Sequence, residues 1–160
     1  MTSNEILQQH PIFSQLSKLE MNCLIEASHE ETVSAGQFLF HKEDVLIHFY
    51  LVVEGEFEIN IELPKFNVAY GTHGQPSELQ IESVVLSTVK PGEIMGWSGL
   101  VPPFKATSGG KAKTSSKVIA FDCQKLLQCF ELDCRFGYLT LQAASQAISK
   151  RLSDIYKKVG

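Results

Sequence analysis

From Glu56 to Leu63 the chain alternates without interruption: Glu56, Glu58, Asn60 and Glu62 are polar, while Phe57, Ile59, Ile61 and Leu63 are apolar. A period of two gathers its apolar side chains on one surface only if the backbone is extended. The stretch therefore predicts a β-strand with one face in a core and the other in water. Other strand signals surround it. Gly36 precedes Gln37-Phe38-Leu39-Phe40-His41, and Phe49-Tyr50-Leu51-Val52-Val53 is a continuous apolar run closed by a Glu54-Gly55 turn. Leu79 to Val89 is strand-like, with an apolar phase that moves between Ile81 and Val84, where a bulge or strong twist is expected. The polar loop from Tyr70 to Glu78, with Gly71, Gly74 and Pro76, joins two of these strands as the tip of a long hairpin. Lys117 to Phe121 reads as the last strand.

Helical signals stand on either side. Thr2 to Glu5 supplies capping groups for a short helix through Gln9, stopped by the His10-Pro11 step. Ser17 and Glu20 have capping-box spacing, with Leu16 and Met21 placed as a hydrophobic staple. They open a helix from Lys18 to about His29 whose apolar face carries Leu19, Cys23 and Ala27. Asp122 caps a short helix over Gln124 to Phe130, and a final helix runs from about Asp133 to Lys157. In the latter, Leu141, Ile148 and Ile155 recur every seven residues, with Ala144, Leu152 and Val159 near the complementary positions. The order of elements predicts an α+β fold over 1–160: N-terminal helices in 1–30, an eight-stranded β-sandwich or jelly roll in 31–122, and C-terminal helices in 123–160.

Composition narrows the function classes. With 160 residues and 44% hydrophobic content the chain can bury a proper core, and no apolar run reaches membrane-spanning length. A net charge of −4 argues against nucleic-acid binding by this chain itself, which calls for a basic face. The N-terminus lacks the features of a signal peptide, and four irregularly spaced cysteines do not suit a secreted disulfide scaffold, so a cytoplasmic setting is expected. Cys123, Cys129 and Cys134 contain no C-x-x-C pair, and His41 and His48 form no H-x-H pair, so no metal site is read. No Ser/His/Asp grouping, paired carboxylates or P-loop is present, and no catalytic residue is assigned. Glu56, Glu58 and Glu62 are most simply a solvated strand face.

The remaining signal is the segment Gly92 to Thr107, where Gly92, Gly96 and Gly99 are followed by Pro102-Pro103. Closely spaced glycines after a strand let main-chain N–H groups approach an anion. Together with the order of elements, this segment resembles the cyclic-nucleotide-binding domain of the catabolite-activator/Fnr-type regulators. His10 to Leu16 is similar to that family's "pxFxxL" entry, Gly36 to Phe40 to its first strand, Tyr50 to Glu56 to its "YxxxxGxv" strand, and Pro91 to Gly96 to its "pGexfG" turn. The resemblance implies a jelly roll flanked by helices, the last of which mediates dimerisation, and a cassette that holds a cyclic nucleotide such as cAMP or cGMP. In ligand-binding members the cassette carries a Glu for the ribose hydroxyl and an Arg for the phosphate. Aligned on Gly96, those positions fall at Trp97 and Ala106, followed by Thr107 and Ser108. Losing a hydrogen bond to a charged group weakens binding by about 1.5–3 kcal/mol, roughly tenfold or more.

Two readings of the cassette stand open: a relict loop plugged by Trp97, and a pocket of altered chemistry. For the second, the candidate ligand-binding residues are Gly96, Trp97, Ser98, Gly99, Leu100, Lys105, Ala106 and Thr107. Lys105, Lys111 and Lys113 are either a solvated surface or a relocated anion site, and Gly109-Gly110 suits a bulge or strand start. The final helix either packs on the sheet or forms a homodimer seam. Only a few residues follow it, so no appended DNA-binding domain is expected. The expectation is a non-catalytic sensor module for a small anionic ligand, and the alternative is a ligand-free protein-interaction scaffold of the same fold.

Overall fold

Eight antiparallel strands form two four-stranded sheets in the computed structural model, which describes residues 1–65 and 80–159. The chain begins with α1 (Ser3–Gln9), a 3-10 turn at Pro11–Phe13 and α2 (Lys18–Glu26). The strands are β1 (Ser28–Val33), β2 (Phe38–Phe40), β3 (His48–Glu54), β4 (Phe57–Lys65), β5 (Gln80–Val89), β6 (Ile94–Met95), β7 (Gly109–Ala112) and β8 (Ser116–Asp122). A 3-10 turn at Trp97–Leu100 lies between β6 and β7, and α3 (Cys123–Leu132) and α4 (Cys134–Val159) close the chain. The sheets have the orders β1-β8-β3-β6 and β2-β7-β4-β5. This is the α+β sandwich with flanking helices that the order of elements predicts. The loop from Tyr70 to Glu78 lies outside the described residues.

The apolar run of β3 follows from its place in the middle of the first sheet. Tyr50 and Val52 point between the sheets, where they meet Phe57, Ile59, Val89 and Ala112 of the second sheet. Phe49 and Leu51 point the other way, into a layer with Leu7, Phe13, Leu24 and Phe136 of the helical segments. A strand covered on both faces needs no alternation, whereas a strand covered on one face does.

The local helix signals are realised at the start of each element. Thr2 and Ser17 each accept from the backbone N–H of the third following residue, and Glu5 and Glu20 return the bond, completing both capping boxes. Asp122 accepts from the Lys125 N–H at 3.1 Å at the head of α3.

Four expectations need correction. The second helix ends at Glu26 instead of His29, and residues from Ser28 onward form β1, so the strands start before residue 31. The chain is drawn into the sheet there by β8: the Asp122 N–H donates to the Ala27 carbonyl at 2.8 Å, and Ser28 to Val33 pair with Phe121 to Ser116. As a polar edge strand, β1 carries little hydrophobic pattern. Leu19, assigned to the buried face of α2, is 78% exposed; Glu20, Met21 and Leu24 are buried in its place. The hairpin bulge sits at Leu86, where the partners of Ile59 and Asn60 skip from Ser87 to Val85, and not between Ile81 and Val84. Finally, Asn60 belongs to the polar side of the alternation but is only 5% exposed. Its cross-strand partner is Gly109, where any Cβ would lie 2.4 Å from Asn60 Oδ1, so the amide occupies the space a side chain would have taken.

The N-terminal half of α4 is held in the helical layer by Phe136, Thr140, Ala143 and Ala144. Its C-terminal half runs along the sandwich and is fastened by polar contacts. Lys150 pairs with Glu93 at 2.6 Å, Ser87 Oγ donates to Asp154 at 3.0 Å, Arg151 donates to the Ile94 carbonyl at 3.3 Å, and Lys158 donates to the Val85 carbonyl.

Candidate functional site

The turn at Gly96 directs everything that follows it. Gly96 has φ of +84°, a left-handed conformation that disfavours a side chain, and a Cβ there would stand 3.3 Å from the Phe49 Cα. The next residues wind one 3-10 turn, with the Gly99 N–H donating to the Gly96 carbonyl at 3.2 Å and Val101 to Ser98 at 3.2 Å. Gly99 is required for close approach, since a Cβ would fall 2.7 Å from Cys123 Sγ and 3.3 Å from Leu46. Beyond Pro103 the chain runs as a strap bonded to residues 43–46. Leu46 N–H donates to the Phe104 carbonyl at 2.7 Å, Ala106 N–H to Asp44 at 2.8 Å, and Glu43 N–H to Ala106 at 2.8 Å.

Between this strap and α4 lies a cavity of about 400 Å³. The strap side is made by Gly96, Trp97, Ser98, Lys105, Ala106 and Thr107, six of the candidate residues. Phe40, Leu46 and Ile59 form the sandwich side, and Ile148, Arg151, Leu152 and Ile155 form the helix side. Gly99 and Leu100 do not line it; both are buried toward the helical layer and α3. Lys111 and Lys113 do not line it either. Lys111 Nζ stands 5.5 Å above the Phe38 ring, so the three lysines do not gather into one site.

Trp97 does not plug the cavity. Its side chain, 3% exposed, stacks on Phe49 with ring centroids 4.7 Å apart, and Phe49 in turn stacks on Phe121 at 4.7 Å. The indole belongs to the helical layer, and its Nε1–H is buried without a hydrogen-bond partner. Ala106, 3% exposed, presents only a methyl group from across the cavity.

The electrostatics of the cavity are one-sided. Lys105 is exposed at the strap and Arg151 is half-buried on α4, and no Asp or Glu lines the space. Burial pulls the Arg151 pKa down, against the favourable fields of Glu93 and Asp154. Below the cavity, burial pushes the Cys123 thiol up to about 12, helped by the Asp122 charge, so it is no nucleophile at neutral pH. The four cysteines are free thiols. Among the described residues no group of three His, Cys, Asp or Glu side chains is gathered as a metal site, and no helix is long and apolar enough to cross a membrane.

Sequence reasoning located the strap but not the opposite wall. Arg151 reads naturally as a cation complementing a helix C-terminus. The available signal was its spacing: Ile148, Arg151, Leu152 and Ile155 fall at i, i+3, i+4 and i+7, so a charged residue interrupts an otherwise apolar helix face.

The two-sheet sandwich, the glycine turn at Gly96 and the terminal helix beside it define the class of fold. The chain belongs to the cyclic nucleotide-binding domain family, whose model matches residues 30–133. Solved structures share the fold. A Geobacter metallireducens protein provisionally described as cyclic nucleotide-binding is 22% identical, with a TM-score of 0.74 over 95% of this chain and 99% of its own. The N-terminal domain of a transcriptional regulator from Streptomyces coelicolor is 23% identical, with a TM-score of 0.62 over 92% and 93%. The sensor domain of the transcriptional regulator DNR from Pseudomonas aeruginosa is 15% identical, with a TM-score of 0.64 over 92% and 94%. No curated protein matches the chain in sequence.

Proposed function

We propose that this chain is a non-catalytic sensor domain in which a small organic anion occupies the cavity and sets the position of α4. The observation that carries this reading is that one cavity is walled by the cassette on one side and by Ile148, Arg151, Leu152 and Ile155 of α4 on the other. A ligand touching both walls favours one helix position over others, which is the thermodynamic requirement for a signal. The family membership, and solved relatives described as a sensor domain and a regulator domain, support the same reading. The exposed side chains of Tyr138, Leu141, Tyr156 and Val159 on α4 support a homodimer as the assembly that receives the signal.

Cyclic AMP and cyclic GMP are weak ligands in this account, because Trp97 and Ala106 supply neither a carboxylate for the ribose nor a guanidinium for the phosphate. The open cavity favours this reading over a ligand-free scaffold whose terminal helix and hairpin loop bind a partner protein.

The test is a thermal-shift series with cyclic AMP, cyclic GMP, a cyclic dinucleotide and a panel of organic carboxylates at millimolar concentration. A ligand at a hundred times its Kd adds about 2.7 kcal/mol to stability. A rise in Tm with at least one anion, and little or none with cyclic AMP, is the expected result. A flat response across the whole panel would leave the scaffold as the working model.

A further inference from the structure

Two residues that line the cavity, Trp97 and Arg151, carry buried N–H donors without hydrogen-bond partners. Trp97 Nε1–H is buried and unbonded, in a side chain almost wholly withdrawn from water. Arg151 Nε is likewise buried and unbonded, and among the described residues the guanidinium's one hydrogen bond runs from Nη2 to the Ile94 carbonyl at 3.3 Å. A guanidinium has five N–H donors, so most of this one's capacity is unused. The nearby acids act on it through their fields, without an ion pair. Glu93 is engaged by Lys150 at 2.6 Å and Asp154 by Ser87 at 3.0 Å, and among the described residues no carboxylate forms an ion pair with Arg151. A half-buried cation carries a desolvation cost that an anionic ligand in the cavity would reduce.

The rest of the lining describes the ligand. Phe40, Leu46, Ile59, Ile148, Leu152 and Ile155 are apolar, and the cavity has no carboxylate to accept from a sugar hydroxyl. We propose that Arg151, on α4, is the anion-binding residue of this cavity, replacing across the cavity the guanidinium that position 106 lacks, and that the ligand is a monoanion with an apolar or aromatic body. This rests on the cavity being a ligand site, as argued above. It adds a mechanism: the charged contact is made by the helix that must move. The anion competes for, or shares, the guanidinium that ties α4 to the Ile94 carbonyl, so occupancy acts directly on the fastening between α4 and β6.

A pair of fluorescent probes separates the two claims. 1-Anilinonaphthalene-8-sulfonate has an aromatic body and an anionic group, and N-phenyl-1-naphthylamine has a closely similar body without charge. Both are titrated into the full chain, into Arg151→Met, into Arg151→Gln (which keeps a donor but no charge) and into Thr107→Trp, which obstructs the cavity from its strap side. The expected result is that both probes bind the native protein and lose affinity in Thr107→Trp. Both Arg151 variants should bind the anionic probe at least tenfold more weakly while binding the neutral probe within about twofold of the native protein. Near-ultraviolet circular dichroism and a cooperative thermal transition for each variant check that it is folded. Equal anionic-probe affinity in native and Arg151 variants, or a loss produced by Lys105→Met and not by Arg151→Met, would overturn the role of Arg151 while leaving the cavity as a ligand site. Binding of neither probe, or binding indifferent to Thr107→Trp, would overturn the cavity reading and this inference with it.

Discussion

The indole of Trp97 lies nearly parallel to the ring of Phe49, with planes 19° apart and centroids 4.7 Å apart. This contact gives Trp97 a structural task in the helical layer. Truncating a buried aromatic of this size costs about 3–5 kcal/mol, so Trp97→Ala is expected to lower stability by that amount in denaturant unfolding. Trp97→Phe, which can keep the stack, should cost about half as much or less. Trp97→Glu is expected to be at least as destabilising as the alanine variant, because it places a carboxylate against Phe49 in the buried helical layer. A Trp97→Glu protein as stable as the native one would show that the indole is dispensable to the layer.

Gly99 and Cys123 make a coupled pair. A methyl group at residue 99 would sit 2.7 Å from the Cys123 sulfur, with Leu46 close on another side. Gly99→Ala is therefore expected to destabilise the protein by about 1–3 kcal/mol through overpacking. In a double-mutant cycle, Cys123→Ala should return part of that loss, giving a non-zero interaction energy. Strict additivity would mean that the backbone shifts and the sulfur contact is not what resists the methyl group.

Acid sensitivity should centre on Glu20, which is only 2% exposed. Burial pushes its pKa up, but the Ser17 backbone N–H and hydroxyl, Asp133 and Arg135 outweigh burial and hold it below the ordinary 4.5. A carboxyl depressed in the folded state contributes stability that is present above pH 4.5 and lost as pH falls through the folded value. Glu20→Gln should flatten the acid limb of the stability–pH curve relative to the native protein. Arg135→Met, which removes the cation bonded to Glu20 Oε1, should lower neutral-pH stability by about 1–3 kcal/mol. An acid limb of unchanged steepness in Glu20→Gln would assign the proton uptake to another group.

The outer face of α4 can be tested apart from the cavity. Leu141 and Tyr156 are exposed and do not line it. If α4 forms a homodimer seam, Leu141→Asp combined with Tyr156→Asp should convert dimer to monomer in sedimentation velocity, with Tm measured on the monomer still showing a cooperative transition. A native protein that sediments as a monomer at tens of micromolar would remove the seam.

Much of this molecule was readable locally. The two capping boxes, the Asp122 cap, the extended stretch at Phe57 to Ile59 and the Gly96 turn each depend on residues a few positions apart, and such short-range terms act in the same way wherever the segment lies. The features that escaped depend on what comes near from afar. The edge strand β1 exists because β8 offers it a ladder, and α2 stops at Glu26 because Asp122, far along the chain, takes the Ala27 carbonyl. Asn60 is buried because its partner across the ladder is a glycine. The direction of Trp97 was decided by the Phe49–Phe121 stack beside it, and the placing of Arg151 on the cavity wall by how α4 crosses the sandwich. Amino-acid order by itself determined the helix caps, the Gly96 turn and the strands around Phe38, Phe49, Phe57 and Lys117. Packing alone decided which face each side chain took and which charge came to stand opposite the cassette, because those choices are made by contacts between segments that no periodicity records.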